Sequence, residues 1–452
     1  MTLPTRNPNY FVRWLTTGIM SITALWCTTG LGQDYPSVSV VVDFPELPIL
    51  PNHFGPTFSV DFQGPTAGFN PGAGTGVSDS FYGAPIDEGQ ILTPPKPGPP
   101  GPNAPSPGPL PAPGIMVDSV SGSPVGTAPG GLGILPGLLM ETGVELDALS
   151  YGRDRGSRLY FSVDEFAGGD IFLGPTATPN VSSEGIHGNR EASADVFTYL
   201  GPAVSTASTS AGSGPGNRAV IDGNGLAPHG SPGLGLVEPN PVTADGRDRG
   251  DNLDALDIDT TREDVFGKIF FSLDSSFSDP LEGPPVNTAT AISNGFVGGD
   301  VLVTAAGAMP MLYAPATSLG LDLVGGEDSD DLDSLILLEN GDGKFTPHRD
   351  FILFSVRRGS AVIGSPDSRL GLPIEEGDVL TIPTETGGLP AIFIPAESLG
   401  LGTVRSKSAE FQFGDELDAL DLSMVPEPSS MVLTLLGILT WFGCYRRRTV
   451  KR

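Results

Sequence analysis

Two cysteines, Cys27 and Cys444, are all the thiol that this 452-residue chain contains, and each lies in an apolar stretch near one end. With those ends set aside, nothing remains to form a disulfide, a cysteine nucleophile or a thiolate metal site, which removes several enzyme classes together. Histidine is scarce too. His53, His187, His229 and His348 are scattered, with no HExxH spacing and no two within helical reach, so a zinc hydrolase is not indicated. There is no G-x-S-x-G elbow, no phosphate-cradling GxxxxGK(S/T) loop and no GxGxxG leading from a strand into a helix.

Positive charge is the third shortage. Lysine and arginine number 24 against 53 acidic residues, a net charge of −29. Seven of the 24 basic residues fall within 1–32 and 429–452, where there is no acidic residue, so the middle of the chain is more acidic still. Such a surface repels phosphate backbones and anionic headgroups, which argues against nucleic-acid binding and confines membrane contact to the terminal segments. Divalent cations and cationic polymers are its natural partners. What the chain has in abundance is glycine (62) and proline (45), nearly a quarter of the residues. That composition breaks helices and excludes an all-helical protein.

The ends have a plain physical organisation. Arg6 and Arg13 precede an apolar run from Trp14 to about Leu31, after which Gln33 and Asp34 are polar. Charge, apolar core and small residues in that order describe a secretory signal peptide over 1–32, with cleavage between Gly32 and Gln33. The other end is tripartite. Pro426, Glu427 and Pro428 form a stiff hinge, since proline disfavours helix in the residue before it. Met431 to Tyr445 is an apolar stretch of 15 residues, shorter than the ~20 that span a bilayer comfortably. Arg446, Arg447 and Arg448, followed by Lys451 and Arg452, then hold the end on the cytoplasmic side.

Pro-Glu-Pro, a short apolar helix and an arginine cluster together resemble the PEP-CTERM sorting signal. That resemblance covers the chain from Val425 onward and implies export through the general secretion machinery, then processing at or near the motif by an exosortase, a membrane transpeptidase-like enzyme. An ordinary single-span anchor would differ mainly in whether the tail survives.

Between the ends the chain repeats itself. A leucine-aspartate box occurs at Leu146–Leu149, Leu253–Leu256, Leu332–Leu335 and Leu417–Leu420. An aromatic-serine strand occurs at Phe58–Asp61, Phe161–Asp164, Phe271–Asp274 and Phe354–Arg357. A Gly-led strand is present as GQIL at Gly89, GDIF at Gly169, GDVL at Gly299 and GDVL at Gly377. SLGL appears at Ser318 and Ser398, and as GLGL at Gly233. Rich in aromatic and aliphatic residues and lacking helical periodicity, these read as four short strands per unit, written FS(V/L)D, GD(V/I)L, SLGL and LDAL.

The fold class expected is therefore all-β, a β-propeller built of four-strand units with long loop insertions, with a β-sandwich as the alternative. A signal helix and a hydrophobic C-terminal helix flank it. Long insertions follow from the spacing: successive boxes lie 107, 79 and 85 residues apart, against ~40–50 for ordinary blades. In LYFSVDEFAGGDIFLGP the order of strand, Gly-rich turn and strand also resembles the repeats of TolB-like propellers, which favours the same architecture. The organisation expected is a signal peptide (1–32), a divergent first repeat (33–142), a repetitive acidic β-domain (143–422) and the sorting tail (423–452). Within the first repeat, 94–114 carries 11 prolines and reads as an extended, solvated insertion without a core.

Aspartate clusters are the one constellation with chemistry. Asp254, Asp257 and Asp259, then Asp330 and Asp333, then Asp418 and Asp421 place carboxylates at close intervals, a donor set that suits calcium, the candidate ion. The simpler reading is that each box aspartate caps a turn or accepts a neighbouring amide. ENGDGKFTPHRD departs from an EF-hand loop, because with Gly343 in the glycine position Leu338 stands where the first aspartate belongs. Arg249-Gly250-Asp251 reads as a polar turn. No catalytic set and no organic cofactor are recognisable. The function expected is that of an exported, non-enzymatic cell-surface or extracellular-matrix protein associated with exopolysaccharide. The alternatives are a secreted carbohydrate-active enzyme on the same scaffold and a calcium-dependent adhesion protein.

Overall fold

The computed structural model describes residues 54–61, 63–68, 76–95, 110–119, 131–134, 144–151, 159–164, 167, 179–185, 191–199, 216–225, 232–238, 250–262, 265–274, 289–305, 307–408 and 413–424. The signal segment, the sorting motif, its apolar stretch and the arginine cluster lie outside them. Among the described residues, no helix is long and apolar enough to cross a membrane.

Four antiparallel four-stranded sheets make up a four-bladed β-propeller. The first blade holds β1 (Phe54–Phe58), β2 (Ile91–Thr93) and β3 (Gly114–Val117), with β16 (Leu420–Met424) added from the far end of the sequence on the open edge of β1. The second holds β4 (Ala148–Ser150), β5 (Tyr160–Ser162), β6 (Val196–Tyr199) and β7 (Asn217–Ile221). The third holds β8 (Ala255–Arg262), β9 (Val265–Ser272), β10 (Val301–Ala305) and β11 (Met311–Ala314). The fourth holds β12 (Leu332–Leu338), β13 (Phe351–Val356), β14 (Val379–Thr381) and β15 (Ala391–Ile394). The box strands β4, β8, β12 and β16 pack against one another in a ring and are the innermost strand of each blade.

The motifs are one pattern of contacts written four times. The last leucine of each box pairs with the phenylalanine of the aromatic-serine strand: Leu149 with Phe161, Leu256 with Phe271, Leu335 with Phe354, Leu420 with Phe58. That phenylalanine pairs in turn with the next strand, at Leu92, Phe197, Leu302 and Leu380. All four phenylalanines are fully buried, each removing enough apolar surface to contribute about 1.5–3 kcal/mol. The apolar side chains collect into four clusters, each lying mainly between two adjacent blades, so every blade covers its neighbour.

Serine supplies the polar counterpart. Ser59 Oγ donates to the Leu146 carbonyl (2.8 Å), Ser162 to Leu253 (2.9 Å), Ser272 to Leu332 (3.0 Å) and Ser355 to Leu417 (2.6 Å). Each bond runs from one blade to the box of the next, and the fourth returns to the first blade. The Gly-led motif is explained by the same seam. A Cβ on Gly377 would stand 2.8 Å from the Asp415 carbonyl, and one on Gly89 2.9 Å from the Val144 carbonyl, so the next blade's backbone occupies the space a side chain would need.

Two expectations require correction. SLGL is not a strand: Ser318 and Leu319 end a short helix, Ala316–Leu319, and Ser398 and Leu399 end another, Ala396–Leu399. Pro315 and Pro395 occupy the N-caps, and Gly320 and Gly400, both at φ 90°, terminate the turns in the left-handed region. The fourth strand is the run just before the proline, MLYA and AIFI. In the second blade GDIF at Gly169 lies outside the described residues, and the place beside β5 is taken by β6, which follows Asp195. The end of the proline-rich segment is also built into the fold, for Pro113 is buried and its carbonyl accepts the Ser80 amide.

Replacing Ser162 with alanine should cost about 1–3 kcal/mol, because the buried Leu253 carbonyl loses its donor. In urea this should appear as a lower midpoint at unchanged m-value. A midpoint within error of wild type would show that the inter-blade bond carries no stability.

Candidate functional site

Antiparallel pairing places the start of each box strand beside the end of each aromatic-serine strand, so two motifs deliver aspartates to the same rim of the ring. Three positions per blade meet there. The residue two before the box aspartate is Glu145, Asn252, Asp331 or Glu416; the box aspartate is Asp147, Asp254, Asp333 or Asp418; the last residue of the aromatic-serine motif is Asp61, Asp164, Asp274 or Arg357. A cavity opens among them, lined by eight carboxylates, Asn252 and Arg357. It offers about 50 Å³ to the centres of water-sized groups, each of which needs about 10–15 Å³ of such space.

Two arginines, both from blade four, already work in this acidic rim. Arg357 stands where the other blades have aspartate, pairs with Asp274 and lies 3.8 Å from Asp331. Arg358 is fully buried, 2.6 Å from Asp61 and 3.0 Å from Glu416, and donates to the Gln63 carbonyl. Burial pushes the Asp61 carboxyl up, but the Arg358 charge and hydrogen bond outweigh it and hold that group below its ordinary value.

The box aspartates have less relief, since the Arg357 charge lowers Asp147 and Asp254 but does not offset their burial. Burial first, and neighbouring carboxylates second, push Asp147, Asp254, Asp333 and Asp418 well above the usual range. Asp254 accepts from the Asn252 amide at 3.0 Å through Oδ1. Among the described residues, the Oδ2 atoms of all four are buried without a hydrogen-bond partner. The simpler reading of the box aspartates as amide-accepting caps therefore fails for these oxygens.

Capping is done by other aspartates. Asp300 accepts the Ala316 and Val297 amides, and Asp378 those of Ala396 and Glu375, tying the Gly-led strand to the following helix. Asp330 accepts from Val362 and Asp322. Asp257 accepts the Leu337 amide and Asp421 the Tyr151 amide, both across blades. Of the calcium candidates, then, the structure brings Asp254, Asp333 and Asp418 to one cavity, sends Asp257, Asp330 and Asp421 to backbone amides, and leaves the Asp259 side chain outside the described residues. Asp251 of the RGD tripeptide is buried and accepts the Val237 and Thr290 amides from distant segments, while Arg249 lies outside the described residues. Asp61, Asp164 and Asp274 were not in the candidate set. Their signal was the aspartate closing three of four aromatic-serine motifs, legible only once those motifs share a rim with the boxes.

Among the described residues, carboxylate oxygens converge close enough for a cation in two places: Asp254 with Asp274 and Asp331, and Asp195 with Asp222 and Glu238, each set within 4.8 Å. The second set lies on the outer strands of blade two, where Gly223, Asn224 and Gly225 amides donate to Asp195, Glu238 and Asp222. Burial, followed by the Asp222 charge, pushes Glu238 up to about 8. Unfolded glutamate titrates near 4.3, so the folded value is the higher one. The stability this contributes is complete below about pH 4.3 and is lost as pH rises through about 8. The melting temperature should accordingly fall between about pH 4.3 and 8 and level off above, and Glu238→Gln should make the fall shallower; an identical slope in wild type and variant would refute the assignment.

No protein-family model matches this sequence, and neither a curated protein nor a solved structure matches it.

Proposed function

We propose that this chain is an exported, non-catalytic surface or matrix protein, an acidic four-bladed propeller that leaves through the general secretion machinery and is sorted by an exosortase. The observation that carries the reading is the segment from Pro426 to Arg448, in which a proline-stiffened hinge, 15 apolar residues and three arginines follow one another. Arg6, Arg13 and the apolar run ending near Gly32 support export from the other end. A net charge of −29 favours solubility outside the cell and attraction to cations, and exopolysaccharide bridged by such ions is the expected surrounding.

The lining of the rim supports a non-catalytic role. Its polar groups are carboxylates, one amide and one guanidinium, with no aromatic platform for a sugar ring among the described residues. The convergence of carboxylates favours a second reading, a secreted carbohydrate-active enzyme, since such hydrolases work with a pair of them. Turnover of an acidic or neutral polysaccharide, lost on one aspartate substitution, would establish that reading instead.

Intact-mass analysis of native protein after cell fractionation tests the primary proposal. The mature species should begin at Gln33, lack Trp441 and the arginine cluster, and reside in the surface or extracellular fraction. Recovery from the cytosol, or from the membrane with Trp441 and Arg446–Arg448 retained, would overturn it.

A further inference from the structure

The box aspartates present an electrostatic problem that the protein's own groups leave unsolved. Asp254, Asp333 and Asp418 are only 7, 7 and 8 % exposed, and the Oδ2 atom of each, like that of Asp147, lines the cavity without a hydrogen-bond partner among the described residues. A buried carboxylate oxygen in that condition is costly, and the cost is relieved by a proton or by a cation. The four also repel one another around a closed circuit: Asp254 feels Asp147, Asp333 feels Asp254 and Asp418, and Asp418 feels Asp147. Of the nearby arginines, Arg358 is committed to Asp61 and Glu416, and Arg357, which pairs with Asp274 and lies 3.8 Å from Asp331, draws Asp147 and Asp254 down without offsetting their burial.

The space and the donors define what would fit. Asp254, Asp274 and Asp331 bring carboxylate oxygens within 4.8 Å of one another, and two oxygens bound to one calcium at ~2.3–2.6 Å lie at most about 4.6–5.2 Å apart. The cavity takes a cation with a few waters. Its lining holds oxygen donors and no histidine or cysteine, which disfavours zinc and the softer transition metals. Magnesium demands a near-ideal octahedron and keeps its waters, whereas calcium accepts six to eight oxygens in irregular array.

We propose that the axial rim is a calcium site, in which Asp254 with Asp274 and Asp331 binds the ion directly and the unpartnered oxygens of Asp147, Asp333 and Asp418 meet it through bound water. The site does not depend on the sorting route, and it holds whether or not the tail is removed.

Calorimetric titration of calcium chloride into chelator-treated full-length protein, held in nonionic detergent, should give saturable heat. Hundredfold excess over the dissociation constant should raise the melting temperature by about 3–8 °C. Magnesium should shift it less, and sodium chloride at matched ionic strength should not reproduce the shift. Asp254→Asn should weaken calcium binding at least about tenfold, and Asp333→Asn and Asp418→Asn should weaken it less, while each raises the melting temperature in chelator because it removes a repelling charge. A merely structural aspartate would not produce that pair of opposite effects. Asp300→Asn, which removes a strand-to-helix cap, should lower the melting temperature and leave calcium affinity unchanged. No binding heat at millimolar calcium from folded wild-type protein would overturn the proposal, as would equal shifts from calcium, magnesium and sodium. Wild-type affinity in Asp254→Asn would also overturn it. Should an axial variant fail to fold, the wild-type titration decides.

Discussion

Four hydroxyl-to-carbonyl hydrogen bonds hold the ring together, and each joins a serine of one blade to the first box leucine of the next. Their donors are fully buried, so none can exchange its partner for water without opening a seam. The circuit is complete only because β16, from the end of the described chain, lies beside β1 at its beginning. At that seam Arg358 adds an ion pair to Asp61 and Glu416, joining the fourth blade to both halves of the first. Among the described residues there is no cysteine to fasten such a seam with a disulfide. Backbone pairing, a buried guanidinium and interleaved apolar clusters do that work instead.

Most of this was legible because the repeated motifs encode contacts with each other. Leucine, phenylalanine and serine recur at fixed places since the box leucine faces the phenylalanine in register and the serine reaches the next box. The Gly-led motif recurs because a neighbouring carbonyl stands where a Cβ would be. What misled was SLGL, where leucine at alternate positions imitates a strand. The overriding signal was the proline three residues before each motif's serine and the glycine after its first leucine, which confine the turn to one helical loop. The second blade's third strand was misplaced for a different reason: GDIF and DVF carry the same local pattern, and only pairing with β5 distinguishes them.

The site was half legible, and the missing half is instructive. Sequence groups aspartates by proximity along the chain, so Asp254, Asp257 and Asp259 look like one cluster. The fold groups them by motif position. Asp254 joins Asp147, Asp333 and Asp418 at the rim, while Asp257 crosses to a backbone amide of blade four. Whether an aspartate caps or faces the cavity depends on amide donors brought by distant segments, as with Asp415, which holds Thr66 from the opposite end of the described chain. Nothing in a single carboxylate's local sequence reports that.

The consequence concerns cooperativity. The partnerless oxygens come one from each blade, and each sits next to the backbone carbonyl that the preceding blade's serine holds. Repulsion among these carboxylates therefore opposes the same closure that the serine bonds and the Arg358 pairs favour. A cation held by Asp254 and Asp274 of the third blade and by Asp331 at the start of the fourth binds only the closed seam between them, stabilises it by mass action and relieves the repulsion around the rim. With no cysteine among the described residues, the acidic rim is thus the point at which a cation in solution can set the stability of the whole propeller.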